Sequence, residues 1–361
     1  MRKIAKLTTS VAGAAALVLV GAACSSSSSS ANSSTTGSSG SSSTCKDSAK
    51  ATNVEAPPGY QVCIFASAST TANHPDNIAI DGSHVFVGWQ NGTANNGSNG
   101  KSSTVIEYTT SGKQLHSWSV VGHADGMRVD PMNHVVWSMS NEDGNPILYT
   151  INPDTNAMQK YVLGNQPHGG GFDDIQFVNG NAYTTASNPT LTASGKNNHP
   201  SLYKITLSGT KATLAPVLSG TPTATTLNPP ITKTKLNLTD PDSLMIDPQG
   251  NLVMDSQADA ELLFIHHVGT PQQSVTVLPV GTQVDDTPFA PSAKATLLVS
   301  DQNGDVLSIS SNFWVPGTPY TSVANDSPVA SFIGTLNLGS GAITPIVIGI
   351  GNPHGMAFIP R

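Results

Sequence analysis

The stretch DPDSLMIDPQGNLVMD, residues 240–255, reads as two strands joined by a turn. Leu244 and Ile246 alternate with their neighbours at the two-residue period of a strand with one buried face, PQGN is turn chemistry, and LVMD resumes the extended pattern. The opening octet recurs without gaps as HPDNIAID from His74, HADGMRVD from His123, GFDDIQFV from Gly171, VDDTPFAP from Val284 and NPHGMAFI from Asn352. Third positions are Asp76, Asp125, Asp173, Asp242, Asp286 and His354. Fifth and seventh positions are apolar in every copy except the one from Val284, which has Pro288 and Ala290.

A second strand follows each of the first five octets in chain order, for example HVFVGW (84–89), HVVWSMS (134–140) and TLLVSD (296–301). Hairpin-like pairs come next, such as residues 103–121, 146–163 and 201–218. Four antiparallel strands in roughly 45 to 50 residues make a β-propeller blade. Six first strands therefore predict an all-β, six-bladed propeller over residues 55–361, closed by its terminal strands. In this reading GYQVCIFAS (59–67) is the outer strand of the blade whose inner strand is HGMAFI (354–359). Residues 310–328 read as an inserted loop of blade five, or as a stretch that conceals a further blade.

The first 23 residues have an export layout: basic MRKIAK, apolar VAGAAALVLV, then GAAC. VGAAC resembles a bacterial lipobox, which implies a leader over 1–23 and an acyl anchor at Cys24. Residues 24–54 are rich in Ser, Gly and Thr, a tether rather than a core. Cys45 and Cys63 remain as an even pair, expected to form a disulfide in an oxidising compartment. Only 11% of residues are charged, and 33 Gly and 25 Pro favour turns over long helices. Losing Arg2, Lys3 and Lys6 with the leader takes the formal charge from −7 to about −10, the opposite of a nucleic-acid-binding footprint.

Third-position side chains sit where inner strands begin, so they are expected to ring the channel axis. Five carboxylates and His354 there need a compensating charge, and a divalent cation, Ca²⁺ by preference, supplies it. The alternative is that each aspartate caps its own turn. His74, His123, His168 and His354 lie in or beside the same turns, as transition-metal ligands or bases, or as inert surface groups. DQNGD (301–305) has the opening spacing of a calcium loop but also that of a strand turn. NGTANNGSNGKSS (91–103) is a long polar loop of the kind that carries recognition.

The octet and the strand pair that follows it resemble the NHL-type and gluconolactonase-like propellers. DGMRVDP (125–131) and PDSLMIDPQGNLVM (241–254) are similar to two gluconolactonase segments. That resemblance implies a divalent metal held by a glutamate, two asparagines and an aspartate that doubles as base. Asp242 matches the aspartate, Ala124 and Asp173 stand at the asparagine positions, and the glutamate has no counterpart before the first inner strand. The leading expectation is a lipid-anchored, extracytoplasmic propeller, at the cell surface or in the periplasm, that binds a small molecule or protein. The alternative is a metal-dependent lactone hydrolase with Asp242 as ligand and base and Asp125, Asp173 and His354 around the ion. PPGYQVCIFAS (57–67) also resembles the start of quinoprotein sugar dehydrogenases.

Overall fold

The computed structural model describes residue 51, residues 53–324 and residues 329–360. The leader, Cys24 and Cys45 lie outside the described residues, whereas Cys63 is buried in the strand Tyr60–Ala66. Six sheets of mostly antiparallel strands surround one axis, and among the described residues the helical content is the single 3₁₀ turn Gln257–Asp259.

Blade 1 runs outward through Pro75–Asp81, His84–Trp89, Ser102–Thr109 and Gln114–Val121. Blade 2 uses Ala124–Asp130, Val135–Ser140, Ile147–Asn152 and Ala157–Val162. Blade 3 uses Ile175–Val178, Asn181–Thr185, Pro200–Ser208 and Lys211–Ser219. Blade 4 uses Pro241–Ile246, Leu252–Ser256, Glu261–His266 and Ser274–Pro279. Its outer edge is covered by Thr223–Thr226, which pairs parallel to Ser274–Pro279, and then by Lys233–Lys235. That cover leaves less of blade 4 open for edge-to-edge pairing.

The last two blades interlock, and here the sequence reading is corrected. Residues 284–290 form the inner segment of blade 5, bonded to residues 318–322 through Asp285 N to Ser322 O (3.1 Å) and Tyr320 N to Pro288 O (3.0 Å). Pro288 has no N–H to give, which keeps this segment out of a regular ladder. The hairpin Ala295–Asp301 and Val306–Ser311 follows in sequence but does not stay in blade 5. It forms the middle of blade 6, between the C-terminal strand Pro353–Pro360 inside and Tyr60–Ala66 outside. The chain then returns to blade 5 for Tyr320–Val323, Phe332–Leu336 and Ile343–Ile348. Residues expected to be an inserted loop thus contain a blade strand. Hairpin periodicity defines a strand pair but not the neighbour that accepts it.

The junction is packed around Trp314, which is 1% exposed. Its indole meets Tyr60, Tyr320 and Phe358 edge-on at 4.9, 4.8 and 5.1 Å, and its N–H donates to Ala295 O at 3.1 Å. One side chain therefore joins the entry strand, blade 5 and the closing strand. Asp301 adds a latch by accepting the N–H groups of Gly351 (3.0 Å) and Asn352 (2.8 Å). Asp305 accepts Ala68 N at 2.7 Å, so the DQNGD carboxylates serve turns. The eighth positions of the octets do likewise: Asp247 accepts Gln249 N and Asn251 N, with Gly250 at φ +82°, and Asp130 accepts Met132 N.

Trp314→Ala is expected to cost about 3–5 kcal/mol, because it removes a fully buried aromatic hub. Urea unfolding measures this, and a loss below about 1 kcal/mol would show that the junction does not depend on the indole.

Candidate functional site

Inner strands of blades 1, 2 and 4 break register with their neighbours at the same place, between Pro75 and Ile78, Ala124 and Met127, and Pro241 and Leu244. Blade 6 does so beside Pro353 and Met356. A bulge inserts extra backbone and re-aims side chains, so third and fourth positions both face the axis. Fourth positions can then come very close to the next blade. A Cβ on Gly126 would collide with the backbone of Asp173, and one on Gly355 with that of Asp76.

At this mouth lies a cavity of about 380 Å³ lined by Asp76, Asp125, Asp173, Asp242, Asp285 and His354, with His123, Glu142 and Asp240 beside them. The structure thus gathers five of the six expected ring residues. Asp286 is the exception: in blade 5 it is Asp285 that lines the cavity. Shifting that octet back one residue, to QVDDTPFA from Gln283, puts Asp285 at the third position and Phe289 at the apolar seventh. Asp286 then matches Asp174. Each accepts a backbone N–H of the next inner strand, Asp174 from Leu244 at 2.9 Å and Asp286 from Met356 at 2.6 Å.

Below the acidic ring sits Arg128, whose residue is 9% exposed. Its terminal nitrogens donate to Asn77 Oδ1 (2.9 Å), Met127 O (2.8 Å), Asp174 Oδ2 (2.7 Å) and Leu244 O (2.8 Å), and lie 3.7 Å from Asp286 Oδ1. Burial outweighs this cation, pushing Asp174 up to about 6 and Asp286 up to about 8.

Burial also drives Asp76, Asp173, Asp242 and Glu142 well above the carboxylate range, and neighbouring carboxylates push the same way. The Asp242 carboxylate adds to the rise at Asp173 and the Asp125 carboxylate to the rise at Asp76, so this ring holds protons unless a cation replaces them. Asp285 goes the other way. Burial would raise it, but the charge and hydrogen bond of His354 Nδ1 (2.8 Å), together with Ser243 Oγ (2.9 Å), hold it below its ordinary value.

His123, Asp125 and Glu142 bring one potential ligand atom each within 4.8 Å of one another. Each is fixed from behind by blade 1. Thr93 O and Oγ1 engage His123 Nδ1 (3.2 and 2.9 Å), which leaves Nε2 toward Glu142 Oε1 at 3.8 Å. Gln90 Nε2 approaches Asp125 Oδ1 (3.4 Å), and Asn95 Nδ2 donates to Glu142 Oε1 (2.6 Å). Asp125 Oδ2 is buried with no hydrogen-bond partner among the described residues. An unsatisfied carboxylate oxygen facing an imidazole and a second carboxylate is a donor set that fits a divalent cation.

Sequence reasoning missed Glu142. It leaves the loop between the second and third strands of blade 2, not the segment before an inner strand. Such loops share an edge with inner-strand starts in an up-and-down blade, so the acidic SNEDGN (140–145) was its available signal. The polar loop at 91–103 supplies Thr93 and Asn95 as supports. His168 is fully buried, accepted by Gly171 O at 2.7 Å and packed on Phe172, while His74 is exposed and pairs with Asn73. Neither histidine lines the cavity.

No family model matches the chain, and no curated protein does. Among solved structures it is similar to the periplasmic gluconolactonase of Pseudomonas aeruginosa, at 12% identity over 79% of this chain and 88% of that one, TM-score 0.44. It is also similar to virginiamycin B lyase of Staphylococcus aureus, at 12% identity over 74% and 95%, TM-score 0.41. A Bacteroides caccae protein of unknown function aligns at 10% identity over 84% and 89%, TM-score 0.46.

The native chain keeps a proton on Asp286 up to about pH 8, whereas the unfolded chain loses it near 3.8. The native state therefore binds more protons across that window, and stability falls as pH rises, by at most about 1.4 kcal/mol per unit for this group. Asp286→Asn is expected to flatten the decline in chelator-treated protein. Parallel stability curves for variant and parent would contradict the assignment.

Proposed function

We propose that the protein is a divalent-cation-dependent hydrolase of small, neutral, hydroxyl-rich esters or lactones. The observation that carries this reading is the convergence of His123, Asp125 and Glu142 around the unpartnered Asp125 Oδ2, inside a cavity that also holds the His354–Asp285 pair. An imidazole in the donor set favours Mn²⁺ or Zn²⁺ over the Ca²⁺ preferred from sequence. When bound, such an ion polarises a carbonyl oxygen and makes water more acidic.

The chain's own groups would do the rest. His354 donates Nδ1–H to Asp285, which orients the ring, so that once the imidazolium has lost its Nε2 proton to solvent that nitrogen can take a proton from attacking water. Asp173 and Asp242 hold a proton that the leaving alkoxide needs. Asp242 then acts as a proton donor in this pair rather than as the sole base. Gln90, Asn95, Gln257, Gln302 and Asn352 line the wall with carboxamides suited to substrate hydroxyls, and the acidic ring disfavours phosphorylated substrates.

A second reading, a binding module without turnover, draws support from the chain of amides in which Asn352 donates to Gln302 (3.0 Å) and Gln302 to Gln90 (3.1 Å). It is a pre-arranged hydrogen-bonding wall. Under either reading, acylation at Cys24 and a Cys45–Cys63 disulfide would hold the domain on the extracytoplasmic side of a membrane, at the cell surface or in the periplasm, by the tether 24–54. A Cys24→Ala protein released into the soluble fraction supports that placement.

Calorimetric titration of chelator-treated protein with Mn²⁺, Zn²⁺ and Ca²⁺ tests the ion. One site is expected, weakened at least tenfold by Asp125→Asn and about 10- to 100-fold by Asn95→Ala, which acts through Glu142. On a panel of neutral lactones, His354→Ala should keep ion affinity and lose roughly 10²- to 10⁴-fold in kcat. Ion binding with no lactone turnover favours the binding module, and no ion binding rejects the metal hydrolase.

A further inference from the structure

The other end of the channel has a different chemistry. Beneath Arg128 opens a second cavity of about 370 Å³, within the size range of small-molecule sites. Its wall includes the seventh position of every octet, with blade 5 in its corrected register: Ile80, Val129, Phe177, Ile246, Phe289 and Phe358. Fifth-position residues such as Met127, Ile175 and Leu244 are at most 1% exposed and do not line this chamber, whereas all six seventh-position residues are only partly buried. Six blades thus leave apolar side chains facing one concave mouth instead of covering them.

We propose that this lower chamber is a second ligand site, for a neutral aromatic or alicyclic small molecule, separate from the acidic chamber above. Neutrality follows from the polar groups. Arg128 spends its terminal nitrogens on four acceptors and its charge on Asp174. Gln176, the other polar side chain in the wall, has its Oε1 taken by Phe177 N at 2.9 Å and its Nε2 directed at Leu244 O at 3.4 Å. A charged ligand would lose its water without gaining a partner, and an inserted peptide would bring backbone groups in the same difficulty. A long acyl chain meets the Arg128 layer and would leave much of its length in water. A compact ring system fits, with Phe177, Phe289 and Phe358 offering aromatic contacts from three blades.

The probe is N-phenyl-1-naphthylamine, a neutral two-part aromatic whose fluorescence rises on leaving water, titrated into the full chain. Saturable enhancement at one probe per chain is expected, weakened at least tenfold by Ala357→Trp, which fills the chamber from blade 6. Methyl-¹³C methionine spectra of the unsubstituted protein give an independent reading if that variant does not fold. Met245 and Met356, which line the chamber, should shift, and the exposed Met132 and Met158 should not. No saturable enhancement, undiminished binding to folded Ala357→Trp, or shifts confined to Met132 and Met158 would each overturn the proposal. Neither readout depends on an ion or on catalysis in the upper chamber.

Discussion

Arg128 sits on the axis of a ring of six inner strands, where water is scarce and a lone cation would be costly. It is tolerated because the ring surrounds it with acceptors: Asn77 from blade 1, its own strand's Met127, Asp174 from blade 3, Leu244 from blade 4, and Asp286 of blade 5 nearby. One side chain reaches five of the six blades. Its charge and hydrogen bond hold Asp174 in place, and Asp174 and Asp286 each cap the backbone of the following inner strand. The same guanidinium divides the channel, leaving carboxylates and imidazoles on one side and apolar residues on the other.

Above that division the constraint is reversed. Carboxylates delivered by repetition are too close to ionise together, so the cavity must hold protons or a cation. Local exceptions give it asymmetry. His354 replaces aspartate in the closing strand and pulls Asp285 down, while Glu142 and His123 enter beside Asp125 and create a mixed donor set. A uniform ring would be an ion trap, whereas this one separates an ion-binding corner from an oriented imidazole.

The octets made the fold legible because alternation and turn chemistry are local properties. Third-position aspartates could be assigned to the axis for the same reason, since where an inner strand begins fixes where its first side chains go. What escaped was non-local. The hairpin at 295–311 looks like any blade hairpin, and only its pairing with both chain ends places it in blade 6. Pro288 blurs the alternation that sets the register, so sequence alone puts Asp286 where Asp285 belongs. Glu142 belongs to a loop with no repeat signature, and its role depends on an edge shared between blades. The seventh positions were read as core along with the fifth, although period-two alternation cannot tell a face packed on the next blade from one left open at a channel mouth.

The most direct test of the account is anomalous diffraction from a crystal soaked in Mn²⁺ after chelation. A single peak within bonding distance of His123 Nε2, Asp125 and Glu142 is expected, reduced in Asp125→Asn. A chamber without anomalous density, or a peak only at the Asp301–Asp305 turn, would contradict it.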